Sequence, residues 1–577
     1  MAASDTSSVD SDPEFAAIMD FIRDNPVRES EGSDISVSSV HTSDLSDFED
    51  SDTGVFHQDV PCDRRRLDHH GGGNAVWLRR PISDPVLQPF VRSVGPTSPL
   101  GVDATPLEYF QLYFPQQMFE EFSAQTNLYA QQKHRDHFVN TSAAEVSAFL
   151  GVQLVMGVVR LPSYKHYWSG DSFLHQSSVS KVMTKNRYEA LKDNFHINDR
   201  ETNPPRGHPN HDKLHMVRPV IDRAKAAFKT LYTPHREVAV DEAMIKFKGR
   251  CSFLQYIPAK PHKWGIKAWA LCDSTSYYMC DFNIYTGKDL AQVEGQEPLG
   301  TRVVMKLVRD TDLLRKYHHV YFDNYFTSVG LVEQLLANGT YSCGTVRVNR
   351  KGLPQEIKTV KFKNSGEHLK MQKGGMTAIS WCEKKKKVSV LCTANNVDDI
   401  QINRPGKRGQ PARQYPKPRA IQEYTEHFNA VDKNDQLRTY YGSSAGKAYK
   451  WWKYIFWFIM DVSLLNAYVL YKEAPGGPRA KPLTHLEFHL KVAEMLIGQF
   501  SSRKRKSYVL NTPVAAKQAI HEPVKITTAR GKRLCYTCNK EGRRTPSGKK
   551  IQSSFECTIC QVALCKEGCW ASFHHYN

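Results

Sequence analysis

The chain has 577 residues, 78 Lys+Arg against 60 Asp+Glu and a formal net charge of +18. Its length leaves room for several domains and a large core. No run of 18 residues is free of charge and the N-terminus is acidic and polar, so neither a membrane-spanning helix nor a secretory signal is expected.

Residues 1–55 hold 14 Asp+Glu against Arg23 and Arg28, about −12, which leaves about +30 on the rest. A body this basic favours a polyanion, nucleic acid first, although an ordinary solvated basic surface has the same composition. Residues 1–103 are rich in Ser, Asp and Glu and then in Gly and Pro, a composition that predicts disorder. Serines among acids at 46–52 read as candidate phosphorylation sites or as parts of a solubilising tail.

From 104 to 235 the pattern is helical. Tyr109, Phe110, Tyr113, Met118, Phe119 and Phe122 recur near a 3.6-residue period. Ser142 with Glu145 three residues on has the form of a capping box. Further helices are expected at 185–192 and from His215 to about Tyr232, both displaying basic residues. At 236 the pattern changes to β-forming runs at 237–248, 253–257, 264–272 and 277–285. A helix at 301–317, a strand at 319–323, a helix at 328–338 and a strand at 341–348 follow. These define a mixed α/β domain over 236–349, with the run ending at Asp241 beside the run ending at Asp323.

Residues 350–420 read as a small inserted β module with runs at 357–362, 376–382 and 387–393. Lys384–Lys387 is a hairpin tip or a solvated turn. The basic Pro/Gly stretch 403–419 is a flexible connector or a strip that lies along phosphates. Residues 421–500 return to helices at 422–441 and 450–472; the apolar stretch 454–460 runs into Asp461 and is too short to cross a membrane. Residues 501–534 form a basic linker, and Arg503-Lys504-Arg505-Lys506 has the form of a nuclear import signal. Residues 535–577 are cysteine-rich.

Four aspartates stand out: Asp241, Asp323, and the pair Asp432 and Asp435, three apart and so on one helix face. An aspartate closing an apolar strand is costly to bury unless it meets a cation. Three such islands in one chain suggest a carboxylate cage for two Mg²⁺ (or Mn²⁺) ions, which would serve in-line attack on a phosphodiester. In that arrangement Asp241 bridges both ions, Asp323 holds one, Asp432 the other, and Asp435 supports the site. Strand-capping and helix-surface roles are the alternative. Trp451, beside Trp452 and flanked by Lys447, Lys450 and Lys453, reads as a stacking platform for DNA or as helix packing.

The motifs VDEAMIKFKGR (240–250), YIPAKPHKWGIK (256–267), YFDNYFTS (321–328), CGTVRVNRKGLP (343–354) and VDKNDQ (431–436), in that order before a cysteine-rich end, make the chain resemble a piggyBac-family transposase over about 105–577. The resemblance implies an RNase H-like catalytic domain carrying an insertion, flanked by helical dimerisation and DNA-binding segments. It also implies cut-and-paste transposition of double-stranded DNA at TTAA sites by a homodimer, with catalytic aspartates at Asp241, Asp323, Asp432 and Asp435 and a DNA-end tryptophan at Trp451. The alternative function is a domesticated DNA- or chromatin-binding protein without transposition activity.

Cys535-x2-Cys538, an 18-residue spacer and Cys557-x2-Cys560, followed by Cys565-x3-Cys569 and His574-His575, form a strong structural zinc signal for one or two Zn²⁺ ions. A cross-brace would set Cys535 and Cys538 with Cys565 and Cys569, and Cys557 and Cys560 with the histidines, although adjacent histidines seldom share one ion. Residues 501–577 carry 15 Lys+Arg against 4 Asp+Glu, a charge suited to binding DNA. The expected location is the nucleus.

Overall fold

The computed structural model describes residues 76–79, 83–258, 263–287, 297–383, 386–394, 396–404, 413–443, 450–475, 481–502, 521–527 and 531–575. The expectations for residues 1–75, for the cluster at 503–506 and for Lys447 fall outside them.

The first helices are α1 (Pro106–Gln111) and α2 (Gln116–Gln132). Thr105 caps α1 in a reciprocal box with Glu108, and Pro115 separates the two helices. All six apolar residues picked out by their period are buried. In α3 (Ala143–Val158) Ser142 accepts from the Glu145 N–H, but the Glu145 carboxylate binds Thr141 and the guanidinium of Arg187 rather than closing the box. Arg187 lies on α4 (Lys185–Asn194), so part of the expected basic display turns inward. On α5 (Arg218–Leu231) Lys225 likewise meets buried Asp281, while Arg218 pairs with Asp212 nearer the surface.

The central sheet is built from β1 (Glu237–Lys246), β2 (Leu254–Tyr256), β3 (Trp264–Asp273), β4 (Met279–Ile284), β5 (His319–Phe322), β6 (Tyr341–Thr345), β7 (His368–Lys373), β8 (Met376–Glu383) and β9 (Lys386–Cys392). The spatial order is β2-β3-β1-β5-β6-β9-β8-β7, with β4 also on β3. β1, β5 and β6 run parallel, and the other pairings are antiparallel. The crossovers between the parallel strands are α6 (Leu299–Asp310) and α7 (Val329–Ala337). β5, residues 238–240 of β1 and the hydrophobic half of β3 are buried on both faces, which is why they read as apolar runs.

Three expectations change here. The insertion is not a separate β module: β9 pairs with β6 through Cys392↔Cys343, so its strands extend the main sheet. The run at 357–362 is not a strand; Gln355–Thr359 forms a short helix after Pro354. The basic stretch 403–419 is in part a strand, Arg413–Pro418, paired with Asp399–Arg404. Disorder through residue 103 also fails. The chain from 83 onward is fixed to the fold: the Gln88 N–H donates to Tyr341 Oη at 2.7 Å, and Gly95–Pro96 pairs with Tyr232–Thr233 in a separate two-stranded sheet.

The expected helix at 422–441 is two helices, α8 (Arg419–His427) and α9 (Ala430–Tyr440). After them come α10 (Trp451–Lys472) and α11 (His485–Ile497). With its 22 residues, α10 is, contrary to the reading of 454–460, long and apolar enough to cross a membrane, but 94% of its apolar window is buried inside the fold. It packs against α1, α5, α9 and β1 as the core helix. α11 lies against α3 at Gly151, where a Cβ would stand 2.8 Å from the Ala493 carbonyl oxygen, so a larger residue would push the helices apart.

Candidate active site and zinc module

Parallel pairing of β1 with β5 runs Glu237↔His319 to Val240↔Phe322. One step further along each chain stand Asp241 and Asp323. Asp323 follows β5, as expected, but Asp241 lies in the middle of its strand, because β1 continues to Lys246. The Asp323 carboxylate accepts the Tyr325 N–H at 2.8 Å, and that of Asp241 accepts the Glu242 N–H at 2.7 Å. Burial and the nearby Glu242 raise the Asp323 carboxyl above the usual range, against the Tyr325 and Phe326 N–H groups, which lower it. A carboxylate held in this state gains from a cation. Lys267 answers the Glu242 charge at 2.6 Å and lies over the Tyr325 ring, while Arg350 donates to the Asn324 and Tyr325 carbonyls and so fixes the loop after Asp323.

α9 packs on β1 and β3. Asn434, fully buried, pins it by donating to the Tyr277 carbonyl at 2.8 Å. Asp432 is in the first turn of α9 and exposed; Asp435 is one turn on and half-buried. Asp435 receives the Arg438 guanidinium at 2.8 Å, and Arg438 lies over the Phe458 ring of α10. Asp435 therefore ties α9 to α10. Buried Cys272 of β3 sits between the two groups: burial raises its thiol, and Asp435, Asp273 and Asp241 push it the same way. Tyr424 on α8, which sequence reasoning passed over, is raised by burial first and also by Asp323 and Asp241. Among the described residues, no three carboxylates here have all ligand atoms within 4.8 Å of one another. A pair of ions about 3.5–4 Å apart needs ligands spread wider than one ion's shell. The donor set is all carboxylate oxygen, which fits hard divalent cations.

The expected lysine flank of Trp451 is corrected by burial. Lys453 is 7% exposed and donates to the Lys192 carbonyl at 2.5 Å; burial pushes its ammonium down to about 7. Lys450 turns to Tyr129 Oη and His196 Nε2, both at 3.1 Å. Trp452 is buried near His196, and Trp451 packs edge-on against Phe253 with ring centroids 5.1 Å apart. Lys453 is thereby turned into the fold, whereas Lys450 is half-buried.

At the C-terminus two groups of ligand atoms converge, each within 4.8 Å: Cys535, Cys538, Cys565 and Cys569, and His521, Cys557, Cys560 and His574. In the first, Cys538 Sγ lies 3.4 Å from Cys569 Sγ and 3.9 Å from Cys565 Sγ. Four thiolates about 2.3 Å from a tetrahedral zinc would lie about 3.8 Å apart, so the set fits. Arg543 Nη2 stands 3.3 Å from Cys569 Sγ, where it offsets thiolate charge. In the second, His521 Nδ1 is 3.3 Å from Cys557 Sγ and 3.4 Å from Cys560 Sγ. His574 Nδ1 donates to the Trp570 carbonyl at 2.9 Å, which leaves Nε2 to face Cys560 Sγ at 3.8 Å. His521 was not foreseen; it completes the set in which His575 was expected, and the His575 side chain is not among those described. The surrounding core is small, with Val562, Leu564 and Phe573 as its buried non-cysteine members. A core this small is of the kind that a bound metal would complete.

The family described as Transposase IS4 matches residues 105–468, and the chain belongs to it. Its relatives place it among the piggyBac type. The human PiggyBac transposable element-derived protein 3 is 26% identical over 452 residues, covering 76% of this chain and 72% of the relative. The human PiggyBac transposable element-derived protein 5 is 25% identical over 428 residues, covering 70% of this chain and 78% of the relative. The fold is similar to that in the cryo-EM structure of a piggyBac transposase synaptic complex with hairpin DNA, with a TM-score of 0.64 at 24% identity over 82% of this chain and 98% of that one.

Proposed function

We propose that this chain is an active DNA transposase that excises and integrates its transposon by cut-and-paste at TTAA sites, as a homodimer in the nucleus. The observation that carries the reading is the approach of three separate segments: Asp241 on β1, Asp323 directly after its parallel neighbour β5, and α9, which bears Asp432, packed against β1 and β3. The order β4-β3-β1-β5-β6, with β1, β5 and β6 parallel, supports an RNase H-like core.

Asp241, Asp323 and Asp432 would hold two Mg²⁺ or Mn²⁺ ions, which when bound supply an activated oxygen nucleophile and a stabilised leaving oxygen. A cation bound there would offset the burial that raises the Asp323 carboxyl. Asp435 acts through Arg438 and keeps α9 seated, so it positions Asp432. The zinc module, with its basic surroundings, would recognise the transposon ends.

The test joins purified full-length protein, DNA carrying the inverted repeats that flank its gene, and a target plasmid, with Mg²⁺ or Mn²⁺. Sequenced junctions at TTAA are the expected result. Stable binding to the ends without cleavage in either metal would support the domesticated reading instead.

A further inference from the structure

Trp452 is buried and Trp451 half-buried, and one hairpin leaves two further aromatic rings exposed. β2 and β3 pair with Tyr256 directly opposite Trp264, and the Ile257 N–H donates to the Lys263 carbonyl at 2.7 Å to close the ladder. Tyr256 is 37% and Trp264 44% exposed, with ring centroids 4.8 Å apart. Single exposed aromatics are ordinary, but two opposed on one strand pair form a surface. Gly265 holds the hairpin tight on β1, since a Cβ there would stand 2.7 Å from the Ile245 carbonyl oxygen. Phe253 against Trp451 and Phe247 against Tyr454 anchor its base to α10.

The electrostatics of this hairpin are one-sided. No acidic residue occurs between Ala243 and Ala268, while Lys246, Lys248, Arg250 and Lys263 are exposed along it. The two-residue period of the strands puts Trp264 and Tyr256 on the sheet face that carries Asp241, which pairs with Ala270. Six residues of β3 separate Ala270 from Trp264, about 20 Å, or the rise of about six base pairs.

We propose that Tyr256 and Trp264 form a stacking platform for unpaired DNA bases, with the neighbouring cations tracking the backbone. The inference rests on the transposase reading. Phosphates alone would be met by the lysines and the arginine. Two open rings add affinity only where base faces are free, as on a single-stranded tail.

The experiment uses the full chain and two labelled probes, a duplex of about 30 base pairs with a single-stranded tail of about four nucleotides and the same duplex blunt, read by fluorescence anisotropy. The wild type is expected to prefer the tailed probe. The Y256A/W264A double variant should lose about tenfold or more in affinity for the tailed probe and keep its affinity for the blunt one. Y256F/W264F, which keeps two ring faces, should retain the preference and controls for a folding defect in the alanine variant. Unchanged preference in a folded Y256A/W264A overturns the platform, as does equal loss on both probes. Equal binding of both probes by a wild type that still cleaves overturns it while leaving the transposase reading intact. A wild type that binds neither probe removes that reading and the platform with it.

Discussion

Asp461 lies in the middle of α10, fully enclosed, where its carboxylate accepts the Ser443 N–H at 3.0 Å and the Ser443 hydroxyl. Burial raises its carboxyl from 3.8 to about 6, against the pull of Ser443, Arg438 and Arg160. A group whose folded value exceeds its unfolded value stabilises the fold fully below the unfolded value and loses that contribution as pH rises through the folded one. The shift of about two units corresponds to roughly 3 kcal/mol that the native fold forgoes above about pH 6. Asp461→Asn keeps an acceptor for Ser443 and removes the ionisation. The stability difference, variant minus wild type, should therefore be smallest near pH 4.5, rise through pH 6 and level off by about pH 7, worth a few degrees in thermal midpoint. Midpoints of both proteins across this range, in buffers of equal ionic strength, make the comparison. A difference that stays flat with pH, or falls as pH rises, would refute the reasoning that Asp461 is buried against its own charge.

His521→Ala should cost one zinc per chain while the four-cysteine site keeps its own, and Cys535→Ser should do the reverse; metal analysis of the full chain reads both. Lys453→Met should leave DNA affinity and its salt slope unchanged, because a lysine held at about 7 and pointed at the Lys192 carbonyl releases no counterion. The stability gained by the same variant should grow as pH falls from 10.5 to about 7, the range in which the unfolded chain binds a proton that the buried lysine does not, and stay level below it. Removal of residues 1–55, about −12 in charge, should leave DNA affinity unchanged or raise it; weaker binding would contradict the electrostatic account.

The neighbouring aspartates were legible because each followed a short β-forming run, and the parallel pairing of those runs puts the two carboxylates one step past Val240↔Phe322. The helical periods at 109–122 were legible because the apolar spacing is strict. Pairing partners were not, since β8 and β9 carry local strand signals but nothing in them names β6 as the neighbour of β9, and β7 carries no signal that marked it as a strand. Lys453 misled because α10 is buried around most of its circumference, so a lysine beside tryptophans reads as a surface charge when it is a core one. His521 escaped because it stands 36 residues before Cys557 with no motif around it. Proline content hid the strand Arg413–Pro418, which tolerates Pro416 because it pairs on one side only, with Asp399–Arg404.

The central claim is that three carboxylates from three segments hold the catalytic metal. The most direct measurement compares Mn²⁺ binding, DNA binding and strand cleavage in the wild type and in D241N, D323N and D432N. The account predicts that each variant folds and binds DNA as the wild type does, binds Mn²⁺ more weakly, and loses cleavage by at least about a hundredfold, whereas D435N, acting through Arg438, loses about 10- to 100-fold. Cleavage near the wild-type rate in any of the three, with folding and DNA binding intact, would contradict it.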